Sequence, residues 1–253
     1  MRARVLRVLV AVALALPALP PFHPARDAAA QAAPGAAVDL ELILMADCSG
    51  SVDESEFTLQ RLGYAKALRD PAILQAIRSG MLRRIALSYV EWSGPSLHVP
   101  IVDWVVIETE ADLAAFAKKL EDHPRVLFGG GTAVGNAILY GMQSILGNAF
   151  EGTRRVIDVS GDGPDRNGLP AVVGRDQAVA GGMTVNGLPI QEFREDGLAE
   201  FFRDNVIGGP GAFYVSAVGF QDFFAAVRRK LILEIAGVAP AGGAQAAELP
   251  AGK

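Results

Sequence analysis

Apolar and polar positions alternate between two periods along this chain, and the switches mark its elements. Val38-Asp39-Leu40-Glu41-Leu42-Ile43-Leu44-Met45 alternates and then becomes continuously apolar, as a strand entering a sheet covered on both faces does. From Asp53 to Ala76 the apolar residues Phe57, Leu62, Ala65, Leu68 and Ile73 recur at helical intervals, and Pro71 divides the stretch into two consecutive helices. Ile85 to Trp92 and His98 to Val106 read as strands, joined by a Ser-Gly-Pro-Ser turn that suits an antiparallel pair at a sheet edge. Helical spacing returns over Ala111 to Leu120 and, after a glycine run, over Ala133 to Phe150. Then come a strand over Arg155 to Ser160, a helix over Arg175 to Gly182 and a strand over Met183 to Ile190. That last strand carries turn chemistry, Asn186-Gly187, at its middle. A helix over Gly197 to Asn205 and a strand over Phe213 to Val218 lead to an amphipathic final helix, Phe220 to Ile235, with Phe224, Val227, Leu231 and Ile235 on one face.

Strands alternating with helices over this length predict a doubly wound α/β fold. The expected architecture is a mostly parallel central sheet with one antiparallel edge strand and helices on both faces. Such folds bind ligands beyond the carboxyl ends of their strands, so functional residues are expected just after strands.

Composition narrows the class. With 253 residues, of which 51% are hydrophobic, the chain has material for one sizeable core. A net charge of -5 gives no basic footprint for a phosphate backbone, so nucleic acid is not an expected partner. One cysteine, Cys48, excludes an internal disulfide framework and a Cys-rich zinc site. At the N-terminus Arg2, Arg4 and Arg7 precede an apolar run from Val8 to Leu19, and Ala28-Ala29-Ala30 supplies small residues for cleavage. That order reads as a secretory signal peptide over residues 1–30, and Pro17, Pro20 and Pro21 cut the run too short for a membrane span. A linker over 31–37, a folded domain over 38–237 and a disordered Ala/Gly/Pro-rich tail over 238–253 complete the expected organisation. The mature protein is expected to be exported, periplasmic or secreted, without a membrane anchor.

The chemistry concentrates after three strands. Asp47-Cys48-Ser49-Gly50-Ser51 places a carboxylate and two hydroxyls at alternate positions of a tight turn. Gly129-Gly130-Gly131-Thr132 places a hydroxyl at a glycine-rich helix start, and Ser160-Gly161-Asp162-Gly163 places a carboxylate after a central strand. All are hard oxygen donors, suited to Mg2+ or Mn2+. Each piece alone is ordinary turn or cap chemistry. Their order along the chain is the signal.

The trio resembles the metal-ion-dependent adhesion site of von Willebrand factor A (vWA) domains. Matched by position, Asp47, Ser49 and Ser51 fall on its D-x-S-x-S loop, Thr132 on its threonine and Asp162 on its aspartate. The stretches Val156 to Gly163 and Asn186 to Ile190 resemble, more narrowly, a bacterial exported group of unknown function, DUF1194. Gly161, inserted between Ser160 and Asp162, departs from the usual Thr/Ser-Asp-Gly turn. The resemblance implies a vWA fold, one Mg2+ or Mn2+, and recognition of a protein partner through that partner's carboxylate.

Hydrolysis would need a base near neutral pH, and none of His23, His98 and His123 follows a motif strand. A binding protein rather than an enzyme is therefore expected, with Cys48 as a small buried residue. Two alternatives stand beside it: a nucleotide-binding α/β enzyme using the Gly129 to Gly135 loop after a short Val126-Leu127-Phe128 strand, or a structural domain with a vestigial metal site. Asp158, an acid inside an apolar strand, needs a partner, with Arg154 and Arg155 the nearest candidates.

Overall fold

Strand β1 (Ala36–Asp47) is buried without interruption from Leu40 to Asp47, which is why its alternation fades into a continuous apolar run. It pairs in parallel with β2 (Ile85–Trp92) on one side and with β4 (Phe150–Gly161) on the other. β3 (His98–Ile107) lies antiparallel to β2 at the edge, while β5 (Thr184–Gln191) and the two-residue β6 (Ala217–Val218) extend the other side in parallel. The sheet order is β3-β2-β1-β4-β5-β6, so strand order reverses beside β1. A computed structural model describes residues 35–191 and 197–238 of the chain. The expected signal peptide, linker residues 31–34 and the tail beyond Val238 lie outside the described residues.

Helices cover both faces. α1 (Glu54–Leu68), α2 (Pro71–Arg78), α3 (Glu110–Asp122) and α7 (Phe223–Ala236) share one core with Leu40, Leu42 and Leu44 of β1. On the opposite face α4 (Val134–Gly147), α5 (Ala171–Ala180) and α6 (Leu198–Phe201), which continues into a π-helical turn over Phe202–Val206, pack on Ile43 and Met45. The alternate residues of one strand thus feed two cores. Asp53 starts α1 with a capping box closed by Glu56, in line with acids placed there to complement a helix start.

Several boundaries differ from the sequence reading, each for a local reason. The helix expected to run to Phe150 stops at Gly147, because Phe150 already pairs with Ala36 as the start of β4. α5 begins at Ala171 rather than Arg175, since the Asp165 carboxylate accepts a hydrogen bond from the Ala171 amide. Asn186-Gly187 does not turn. The Asn186 side chain accepts from the Phe213 amide and donates to Glu234, and a side chain at Gly187 would collide with Phe202, so both residues serve packing inside a strand. Only Ala217 and Val218 of the expected Phe213 to Val218 strand pair regularly, with one further bridge from Tyr214 to Gly187. α7 buries Lys230 and Glu234 along with Val227 and Leu231, so its inner face is not purely apolar. Residues 123–133 carry no regular secondary structure, so no strand precedes the glycine run as the nucleotide alternative requires. His98, which follows no motif strand, stacks on the Tyr140 ring at 4.7 Å.

Candidate functional site

The site is built from three chain segments at the carboxyl ends of β1, β2 and β4. Asp47 is the last residue of β1 and fully buried, and its Oδ1 accepts from the Ser49 amide at 2.7 Å. The Ser49 and Ser51 hydroxyls lie 3.1 Å apart, and Ser51 Oγ donates to Asp162 Oδ1 at 2.8 Å. Asp47, Ser49, Ser51 and Asp162 therefore form one hydrogen-bonded group, joined through the Ser49 amide and the two hydroxyls, although Asp162 is 111 residues from Ser51.

Thr132 reaches the same rim through its loop. A Cβ on Gly50 would stand 3.9 Å from the Gly129 Cα, so the glycine run lies directly against the turn of Ser49 to Ser51. Ser93, just past β2, donates to the carbonyls of Gly129 and Gly131 and accepts from the Ala133 amide. The Thr132 carbonyl accepts from the amides of Arg166 and Asn167, which ties its loop to the segment following Asp162. Gly129, Gly130 and Gly131 all have positive φ, so this course is open to glycine and strained for other residues.

Electrostatics give the set its character. Burial, and then the neighbouring Asp162 carboxylate, push Asp47 up to about 8 against the lowering effect of the Ser49 amide. Asp47 Oδ2 is buried with no hydrogen-bond partner, and no ion pair reaches Asp47 among the described residues. A buried acceptor in that state is costly unless a cation or donor answers it. Gly161 explains its own presence here, because a Cβ at that position would sit 3.1 Å from this same oxygen. The inserted glycine keeps space open beside Asp47. Burial also pushes the Cys48 thiol up, far from the thiolate range a nucleophile needs.

These residues suit a hard divalent ion: two carboxylates, three hydroxyl-bearing side chains and one unanswered carboxylate oxygen, with no imidazole and a single buried thiol. No group of three or more His, Cys, Asp or Glu side chains is arranged to hold a metal among the described residues, so any metal here would lean on hydroxyl oxygens.

Around this set stand residues that its short motifs do not reveal. Gln60 of α1 donates to the Asp47 carbonyl at 2.9 Å and accepts from Ser160 Oγ at 3.2 Å, bracing the ends of β1 and β4 together. Asp165 accepts from the amides of Val134, Gly135 and Ala171, capping α4 and α5 from outside both helices. The nearest sequence signal for Asp165 is its place three residues after Asp162; Gln60 has none. Asp158 pairs with neither arginine suggested by sequence proximity. Its Oδ1 lies 2.5 Å from the ammonium of Lys230 on α7, which also contacts Glu234 Oε1 at 2.5 Å.

Comparison with known proteins now decides the family. The DUF1194 family, described as protein of unknown function, matches residues 37–239. The chain belongs to that family. Its fold is that of vWA domains. The "von Willebrand factor type A from Catenulispora acidiphila" is 16% identical with a TM-score of 0.51, the match covering 79% of this chain and 43% of that one. Proximal thread matrix protein 1 from the mussel byssus, in a structure with a zinc-occupied MIDAS motif, is 16% identical with a TM-score of 0.53 over 81% of this chain and 49% of its own. The pilus adhesin SpaC from Lactobacillus rhamnosus GG is 14% identical with a TM-score of 0.59 over 79% and 30%. This chain therefore spans at most about half the length of these structures. No curated protein matches it in sequence. At these identities the structures speak for the fold alone.

Proposed function

We propose that this DUF1194 chain is an exported binding module that holds one Mg2+ or Mn2+ through Asp47, Ser49, Ser51, Thr132 and Asp162. The ion in turn takes a carboxylate from a protein partner. The observation that carries this reading is the buried, unpartnered Asp47 Oδ2, set in one hydrogen-bonded group with Ser49, Ser51 and Asp162 at the point where strand order reverses. Two carboxylates balance a divalent charge, and hydroxyl ligands leave the ion a position for an incoming anionic oxygen. The zinc-occupied MIDAS of the mussel protein and the adhesin role of SpaC support a metal-bridged interaction on this fold by analogy.

Binding rather than catalysis fits the same residues. The thiol beside Asp47 is held protonated, and the His98 ring is stacked on Tyr140. The apolar run and alanine triplet at the N-terminus support export.

A melting experiment tests the metal. At a concentration about 100 times its Kd, Mg2+ should stabilise the wild type by about 2.7 kcal/mol, and Asp47→Ala should lose that increment. An unresponsive wild type would instead support a vestigial site.

A further inference from the structure

We infer that the protein partner carries an apolar side chain within a residue or two of its metal-binding carboxylate, and that this side chain lies on Phe128. The inference rests on the metal-bridged reading above and adds what the partner must look like beside the ion.

The segment before the glycine run alternates in exposure although it is no strand. Leu127 turns into the core at 8% exposed, while Val126 at 43% and Phe128 at 72% turn outward. An outward phenylalanine is costly to hydrate, and this one is held where it is. Arg125 fixes the segment from below: Nε donates to the Leu127 carbonyl and Nη2 to the Val52 carbonyl, each at 2.8 Å. Its guanidinium lies 4.6 Å from the Phe57 ring centre and 5.2 Å from that of Phe128. Downstream, Gly129 lies against Gly50 and is gripped by Ser93. Phe128 is thus anchored at both ends to the turn that carries Ser49 and Ser51.

Charge around Phe128 selects the partner's chemistry. The Arg125 side chain is buried and already pairs with Glu54 at 3.1 Å besides its two carbonyl contacts, so its charge is answered within the chain. The complementary surface is one acid for the ion and one apolar group for the ring. Because the frame is fixed before binding, burying the ring needs little further ordering on this side. Exposed apolar surface beside an anion-seeking position is what a protein ligand, rather than a free small anion, would cover.

Panning a random nine-residue peptide library on the immobilised chain in Mg2+, with elution by EDTA, tests this directly. The eluted peptides should be enriched in Asp or Glu with Phe, Leu, Ile or Trp within two positions. The best of them, synthesised, should bind Phe128→Ser about tenfold or more weakly and Phe128→Leu nearly as well as wild type. Enrichment of acids without apolar neighbours, or unchanged affinity for Phe128→Ser, overturns the inference and leaves the metal reading standing. If EDTA releases no acid-bearing peptides, the metal-bridged reading falls and takes the inference with it. A Mg2+-dependent dimer dissolved by Phe128→Ser would assign the surface to a second copy of this chain and overturn it likewise.

Discussion

Two buried acid pairs, one between the sheet and a helix and one at the sheet's rim, are answered in different ways. Asp158 and Glu234 face each other between β4 and α7, with the Lys230 ammonium 2.5 Å from an oxygen of each. Asp47 and Asp162 face each other at the rim, where Asp47 keeps an oxygen with neither donor nor ion pair. Glu234, like Asp47, is pushed up to about 8, in both cases by burial first and the neighbouring carboxylate second. Inside, the fold supplies its own cation to both acids, although Asp158 Oδ2 and Glu234 Oε2 also lack a hydrogen-bond partner. At Asp47 it brings hydroxyls and open space instead, and that difference separates a structural cluster from a candidate binding site.

Removing the inner cation should have the largest effect. Lys230→Met leaves the buried Asp158 and Glu234 pair without its cation and should cost about 3–5 kcal/mol in denaturant unfolding. A loss below about 1 kcal/mol would mean that the pair is not held by charge and that the contrast is false.

The next effect isolates the inner cluster by substitution and pH. Glu234 keeps its proton to about 8 in the folded protein against an ordinary 4.5, so its contribution to stability falls as pH rises through that window and levels off above it. Glu234→Gln cannot lose a proton, so its stability relative to wild type should climb by up to a few kcal/mol between pH 5 and pH 9 in urea titrations. Parallel curves for the two proteins would contradict the assignment.

The smallest effect belongs to the rim. Gly161→Ala puts a methyl about 3 Å from Asp47 Oδ2 without demanding an unusual backbone conformation. It should leave unfolding within about 1 kcal/mol of wild type while weakening Mg2+ by about tenfold, read by calorimetry. Equal loss of stability and affinity would show that Gly161 serves packing alone.

Legibility in the sequence followed the range of the interactions. Asp47, Ser49 and Ser51 were readable because a five-residue turn brings them together, and Asp162 because it directly follows a central strand. The doubly wound sheet and its antiparallel edge were readable from periodicity and one proline-containing turn. Lys230 was not, since helical spacing alone gives no reason to bury a lysine. Asp158, 72 residues earlier and on another element, supplies it together with Glu234 one turn further along the helix. Gln60 was equally silent, because its bond to Ser160 spans 100 residues. Asn186-Gly187 misled in part, having turn chemistry that Phe202, Phe213 and Glu234 put to use inside a strand.

The central claim is that Asp47 and Asp162 share an ion the chain does not itself supply. Anomalous diffraction from crystals of the protein grown with Mn2+ tests it most directly. The account predicts one strong peak about 2.0–2.3 Å from the Ser49, Ser51 or Thr132 hydroxyl oxygens, facing both Asp47 and Asp162. A peak elsewhere, or none at Mn2+ concentrations that shift the melting temperature, would contradict it.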